Sequence, residues 1–383
     1  MAFSSDTAVI RPGEELNCAA LADYLRASLP GDDPGAGAPR GGDPDGAPGG
    51  GATGGGPPSV EIEQFPHGHS NLVYLIRAGH REYILRRPPL GPVAPKAHDM
   101  AREYRILHAV HPHFPEAPQV FLLCEDLSVI GSAFFLMERR RGVVIRDIVP
   151  PELTAIPDYP RQLSELFIDC LVRLHSIDVS QPPLSSLGKP EGFVERQVRG
   201  WAERWNRSKT QEFPAMDRIV RWLSDGLPPS ANATLVHNDY KLDNIMLSPS
   251  GQRVEAVLDW EMTTIGDPLA DLGLTLCYWT WASVAAEDDP HPATPNVTAQ
   301  PGWYSRDQFL QRYAELTGRD LTHIRYYEIL GIFKLAVILQ QIYYRFHLGQ
   351  TQDERFRTFD RRVDGLIRLA ASLIDAGSAE ARR

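Results

Sequence analysis

The chain has 383 residues, 43% of them hydrophobic and 23% charged, with a net charge of −10. That length gives one large domain or two smaller ones with an ample core. The acidic balance argues against nucleic acid as a main partner, because phosphate binding wants a basic surface. It suits a cationic ligand without assigning one. Cys18, Cys124, Cys170 and Cys277 lie far apart and form no Cys-x-x-Cys pair, so reduced thiols in a cytoplasmic protein are expected. No secretory signal precedes Asn232 or Asn296, and their glycosylation-like triplets read as chance matches. The longest apolar helical stretch, 329–344, is interrupted by Lys334, Gln340 and Gln341, so no membrane partner is expected. Nothing here sets an oligomeric state.

In chain order, leucines at 16, 21, 25 and 29 predict a short amphipathic N-terminal helix within 1–30. Segment 31–58 is almost all Gly, Pro, Asp and Ala; it can bury nothing and is expected to be a disordered linker. Alternation predicts a strand over 60–65, and 72–77 and 82–86, set off by turns, read as two more strands of an antiparallel meander. A helix over 98–110 and strands over 120–124 and 133–137 complete a small β-rich lobe, 59–138. The composition then turns basic and polar at Glu138-Arg139-Arg140-Arg141, and a larger, mainly helical lobe occupies 139–383. Helices are expected over 163–177, 193–209, 217–223, 269–281, 306–317, 323–348 and 354–376, with a Pro-rich loop over 285–302.

The second lobe is interrupted by 235–271, which carries the chemistry. An apolar lead-in reaches His237-Asn238-Asp239, and Asn244 follows. Two apolar runs, 245–247 and 254–258, joined by the turn Ser248-Pro249-Ser250-Gly251, predict a hairpin that ends on Asp259. The hairpin would set Asn244 and Asp259 at neighbouring strand ends, with Asp239 in the loop before. One carboxylate to orient a hydroxyl, with an amide and a second carboxylate as hard oxygen ligands for Mg²⁺, is what phosphoryl transfer from ATP requires. Asp239 is the candidate catalytic base; Asn244 and Asp259 are the candidate metal ligands.

The small lobe offers candidate nucleotide contacts. Arg86 ends the third strand, where a kinase has a lysine on the α/β-phosphates, and Arg87 beside it leaves the register open. Glu103 on the following helix is placed to pair with it. The turn holding Ser70 and Asn71 sits where a phosphate-covering loop would, although it lacks the Gly-rich pattern. Met137, Glu138 and Arg139 leave the last strand as a connector whose backbone would meet adenine. The paired histidines His67/His69 and His111/His113 lack further ligands and are not read as metal sites. His175, in an apolar helical frame, reads as structural. Asp267 and Asp271 read equally as helix caps or as residues ordering the Asp239 loop. Trp279 and Trp281 read equally as core or as an acceptor wall.

These motifs resemble those of the aminoglycoside phosphotransferase and choline kinase-like superfamily. The likeness rests on His237 to Asn244, Val257 to Glu261 and Ile265 to Leu272, supported by Leu85 to Pro89 and Arg102 to Tyr104. Their wording is closest to the kinase-like domain of acyl-CoA dehydrogenase fusion proteins. Arg86 in place of the usual lysine is the main departure. The resemblance implies an α+β, protein kinase-like two-lobed fold, with a small antiparallel β lobe carrying one helix and a larger mainly helical lobe. It implies ATP and Mg²⁺ as cofactors and a small-molecule hydroxyl as acceptor, a hydroxyacyl-CoA or hydroxy acid first and an antibiotic second. A non-catalytic nucleotide-binding module is disfavoured by the intact Asp239, Asn244 and Asp259. A protein kinase is disfavoured by Trp260-Glu261 after Asp259 and by the missing Gly-rich loop.

Overall fold

The computed structural model describes residues 6–29, 60–66, 71–90, 98–229, 232–281 and 297–380. The expected linker 31–58, the candidate residue Ser70 and most of the expected loop 285–302 lie outside them. The chain divides into two units, Met1–His108 with Pro118–Arg139, and Ala109–Ala117 with Arg140–Arg383.

In the first unit, helix α1 (Cys18–Ser28) starts where the Asn17 side chain accepts from the Ala20 N–H. Strands β1 (Val60–Gln64), β2 (Leu72–Ala78) and β3 (Arg81–Arg87) form the expected antiparallel meander. After helix α2 (Met100–Val110) come β4 (Val120–Cys124), the short helix α3 (Leu127–Ile130) and β5 (Phe134–Glu138). The sheet order is β1-β2-β3-β5-β4, so β5 rather than β4 extends the meander. Alternation decides which face each side chain takes. Tyr74, Ile76, Leu85, Phe134 and Leu136 join Leu21 and Leu25 of α1 in one buried cluster. Phe135, pointing the other way, meets Tyr104 of α2 edge-on at 6.4 Å. The Tyr74 hydroxyl donates to Glu14 O at 2.7 Å, tying the segment before α1 to the sheet.

The second unit holds β6 (Val143–Val144), α4 (Pro151–Thr154), α5 (Tyr159–His175), α6 (Phe193–Ser208) and α7 (Pro214–Asp225). Then come β7 (Thr234–Val236), β8 (Ile245–Leu247), β9 (Val254–Val257), β10 (Thr264–Gly266) and α8 (Pro268–Leu276). Helices α9 (Arg306–Thr317), α10 (Ile324–His347) and α11 (Phe359–Glu380) close the chain. The expected hairpin is β8–β9, with Ile245 opposite Val257. Two short pairings accompany it, β6 with β8 and β7 with β10. The expected helix 269–281 instead changes hand-over at Cys277 into a π turn, Cys277–Trp281. The wider turn lets Trp279 pack among Phe167, Trp303 and Phe309, with ring centroids 5.0–5.7 Å apart. The expected helix 354–376 begins with a separate 3₁₀ turn, Glu354–Phe356, capped by Asp353, before α11 starts.

Helix α10 is the axis of this unit and packs on α6, α8 and α11. By length and composition it is apolar enough to cross a membrane, contrary to the expectation from sequence. Its side chains are spent in the core instead: Ile324 and Tyr326 to Val337 are buried. Where α8 meets α10, two glycines replace side chains. A Cβ on Gly273 would stand 2.2 Å from Tyr327 O, and one on Gly331 would stand 2.8 Å from Gly273 O. Only glycine permits that approach.

Candidate active site

Strand β7 delivers His237, Asn238 and Asp239 at its end. Asn238 takes a left-handed conformation, φ 65°, which turns the chain out of the strand. A 3₁₀ turn, Leu242–Asn244, leads directly into β8. This brings Asn244 back onto Asp239: its Nδ2 donates to Asp239 O at 2.8 Å and to Asp239 Oδ2 at 2.9 Å. Lys241 Nζ lies 3.3 Å from the same Oδ2. The Tyr278 hydroxyl, on the π turn, donates to Oδ1 at 2.8 Å. A carboxylate offers about four lone-pair sites. Two donors on Oδ2 and one on Oδ1 leave one site, on Oδ1. Burial works against the Lys241 charge, but Asp239 and Asp243 outweigh it and hold this ammonium above its ordinary value. Burial, then Asp239, pushes the Tyr278 phenol well up, so it is a donor and not a phenolate.

The loop is held from beneath by Asp271, which is fully buried on α8. Its Oδ2 accepts from His237 N–H at 2.6 Å and its Oδ1 from Asn238 N–H at 2.8 Å. His175 Nε2 lies 3.2 Å from Oδ2, and its Nδ1 meets the Tyr313 hydroxyl at 2.8 Å. A carboxylate can only accept, so His175 carries its proton on Nε2. Burial alone would raise the Asp271 carboxyl; the His175 hydrogen bond, the His175 and His237 charges and the His237 N–H bring it below the ordinary value. Asp267 takes the other role that the sequence left open: its Oδ1 caps α8 through Leu269 N–H at 2.9 Å, and its Oδ2 accepts from Tyr327 at 2.7 Å. His237 Nε2 donates to Leu258 O at 3.0 Å, which ties the loop to the hairpin. Burial pushes the His237 imidazole down.

Asp259 follows β9 with φ 65°, and Leu258 N–H donates to Asn244 O at 2.8 Å, so the two strand ends are joined. Asn244 spends its amide nitrogen on Asp239, which leaves its amide oxygen as the group able to ligate a metal. Among the described residues no cluster of three or more His, Cys, Asp or Glu could cage a metal. An amide oxygen and one carboxylate fit Mg²⁺, which takes one or two protein carboxylates and fills the rest of its octahedron with phosphate and water.

In the first unit, Arg86 Nε lies 3.0 Å from Glu103 Oε2, with side chains only 10% and 3% exposed. The register question is resolved because Arg87 turns to the other face, donating to Ile130 O at 3.2 Å. Asn71 is buried, with Oδ1 2.9 Å from His98 Nδ1. Met137 and Glu138 are strand residues of β5, Met137 opposite Ile84. Glu138 N–H is already given to Gln119 O at 2.7 Å. Arg139 binds Asp6 at 2.7 Å and Glu82 at 2.8 Å.

Three contacts of the Asp239 loop were not singled out from sequence: Lys241, Tyr278 and Lys334. Lys334 Nζ donates to Asn238 O at 3.1 Å. A lysine in the middle of an apolar helix was the available signal for it. Lys241, two residues past Asp239, was visible by position. Tyr278 carried no signal, because the π turn that aims it depends on packing around Trp279. Trp279 itself is core, with Nε1 donating to Tyr304 O at 2.9 Å.

The sequence profile of the phosphotransferase enzyme family matches residues 61–309. Mouse acyl-CoA dehydrogenase family member 10 is 33% identical over 319 residues, covering 81% of this chain and 29% of that protein. Human acyl-CoA dehydrogenase family member 11 is 32% identical, covering 82% of this chain and 40% of that protein. The chain thus spans well under half of these relatives' length. A crystal structure described as an aminoglycoside phosphotransferase from Ralstonia eutropha superposes with a TM-score of 0.72 at 25% identity, covering 94% of this chain and 99% of that one. An aminoglycoside phosphotransferase solved with ADP and hygromycin B shares the fold at 19% identity, with a TM-score of 0.53 over 81% of this chain and 94% of that one. With its α+β, kinase-like fold and the Asp239–Asn244 loop, the chain belongs to the phosphotransferase enzyme family.

Proposed function

We propose that the chain transfers the γ-phosphate of ATP, in the presence of Mg²⁺, to a hydroxyl of a small molecule. The observation that carries this reading is the state of the Asp239 carboxylate. Three donors fix its rotamer and leave one lone pair, on Oδ1, to take the proton of an acceptor hydroxyl. Lys241, kept protonated beside that carboxylate, offsets the charge that develops on the transferred group. Asn244 and Asp259 would hold Mg²⁺, which supplies charge neutralisation at the phosphates when bound. Arg86, aimed by Glu103, would take the α/β-phosphates, with Asn71 as a further polar contact. The backbone from Met137 to Arg139 would take the adenine edge, with Glu138 N–H excluded because Gln119 O already holds it.

The relatives' description as acyl-CoA dehydrogenase family members supports a hydroxyacyl-CoA or hydroxy acid as acceptor. The aminoglycoside phosphotransferase neighbours favour an antibiotic as the second reading. A coupled ADP-release assay over hydroxyacyl-CoAs, hydroxy acids, amino alcohols and aminoglycosides, with ³¹P NMR of the product, tests both. Acceptor-dependent turnover should require Mg²⁺, fall by at least about 10³-fold in Asp239→Ala, and show a raised Mg²⁺ requirement in Asp259→Asn. Turnover retained in Asp239→Ala would sink the base assignment.

A further inference from the structure

Lys334 is 6% exposed in the middle of α10. Its Nζ donates to Asn238 O at 3.1 Å, stands 3.5 Å from Asn238 Oδ1 and 5.5 Å from the centroid of the Trp201 ring on α6. The Arg204 guanidinium lies over the same ring at 4.3 Å. Among the described residues no carboxylate comes within ion-pair distance of this ammonium. A leucine or methionine would fill the space without desolvating a charge, so packing does not explain a lysine here. What the charge touches does. Asn238 O belongs to the peptide that joins the left-handed Asn238 to Asp239. Asp271 takes the two N–H groups of the same loop from the α8 side. The loop is therefore pinned through its donors by one helix and through a carbonyl by another.

We propose that Lys334 is a positioning residue for phosphoryl transfer: its ammonium clamps the Asn238–Asp239 peptide and so aims the Asp239 carboxylate. The proposal rests on the reading of Asp239 as the base. The charged groups acting on Lys334 are Asp271 from α8, Asp239 from the loop and Arg204 from α6. Burial lowers the ammonium to about 8, with Arg204 adding to the fall and Asp271 and Asp239 opposing it. The clamp is thus charge-assisted at neutral pH and weakens to a neutral amine's bond as pH rises through that value.

The test compares the full chain with Lys334→Met and Lys334→Arg for kcat, nucleotide affinity, pH dependence and unfolding. Lys334→Met should lose on the order of 100-fold in kcat, as expected for a misplaced base, with nucleotide affinity unchanged. The wild-type kcat should decline on the alkaline side near the lysine's value of about 8. That limb should vanish in Lys334→Met and move to higher pH in Lys334→Arg, whose guanidinium does not titrate there. Stability should run the other way. The unfolded chain binds this proton more tightly, so wild type gains stability relative to Lys334→Met as pH rises from about 8 toward lysine's ordinary ~10.4. A lysine kept for stability would lose both together. Wild-type kcat in Lys334→Met, or an alkaline limb unmoved in both variants, overturns the proposal. If Lys334→Met does not fold, the limb in Lys334→Arg decides. An inactive Asp239→Ala beside a fully active Lys334→Met refutes the clamp alone; an active Asp239→Ala refutes the base reading beneath it.

Discussion

Asp271→Asn removes one charge and almost no volume from the buried support of the Asp239 loop. The aspartate accepts from His237 N–H at 2.6 Å, Asn238 N–H at 2.8 Å and His175 Nε2 at 3.2 Å. An asparagine has one acceptor oxygen, so in either orientation its NH₂ faces a donor. In the better orientation one charge-assisted bond is lost, the other two are weakened to neutral ones, and a buried N–H is left unsatisfied. At roughly 1.5–3 kcal/mol for a bond to a charged group, the loss is about 2–4 kcal/mol. All seven tryptophans, from Trp201 to Trp303, belong to the second unit, so guanidinium unfolding followed by tryptophan emission reports that unit. Trp260 lies 5.1 Å from the His237 ring and reports the loop itself. The pH dependence follows from the lowered carboxyl. Its contribution is present above the ordinary Asp value of ~3.9 and is lost as pH falls through and below that value. The Asn variant should lack that acid-side loss, and its kcat should fall. A stability change under about 0.5 kcal/mol with kcat within about twofold of wild type would refute the assignment of Asp271 as the loop's support.

Two further outcomes follow from geometry. Truncating Arg86 or Glu103 alone breaks a buried ion pair from one side and should destabilise the first unit by about 3–5 kcal/mol; the double variant should cost less than the sum, measured as a double-mutant cycle. Gly273→Ala drives a Cβ onto Tyr327 O and should cost roughly 3 kcal/mol or more, whereas Gly200→Ala on α6, with nothing within 4 Å, should stabilise by about 0.5–1 kcal/mol in the same unfolding assay.

What could be read from the sequence was local. Asp239, Asn244 and the β8–β9 hairpin lie within a few residues of one another, and hairpin patterning alone brings them together. The strands of the first sheet were readable as short apolar runs bounded by turn residues. The parts that escaped depend on distant chain. Asp271 could be assigned only once α8 was seen packed under the loop, 33 and 34 residues from the amides it holds. Lys334 reaches the loop across 96 residues. Arg139 was read as a connector residue, but its charge is taken by Asp6, 133 residues earlier. His175 reads as structural from its apolar frame. Full burial bears that out, and its bond to Asp271 makes it part of what supports the loop.

The meeting of α8 and α10 at Gly273 and Gly331 is backbone against backbone. Side chains can repack when a neighbour shifts; main chain cannot. Asp271 lies two residues before one glycine and Lys334 three residues after the other, so the two groups that pin the loop ride on a single inelastic joint. The pair of helices and the loop should therefore open together, as one cooperative unit, and not by fraying from the loop inward. Drift in this chain is then cheapest on surfaces that do not bear on that joint. New acceptors could arise by changing surface helices and loops while the machinery for moving phosphate stays where the two glycines put it.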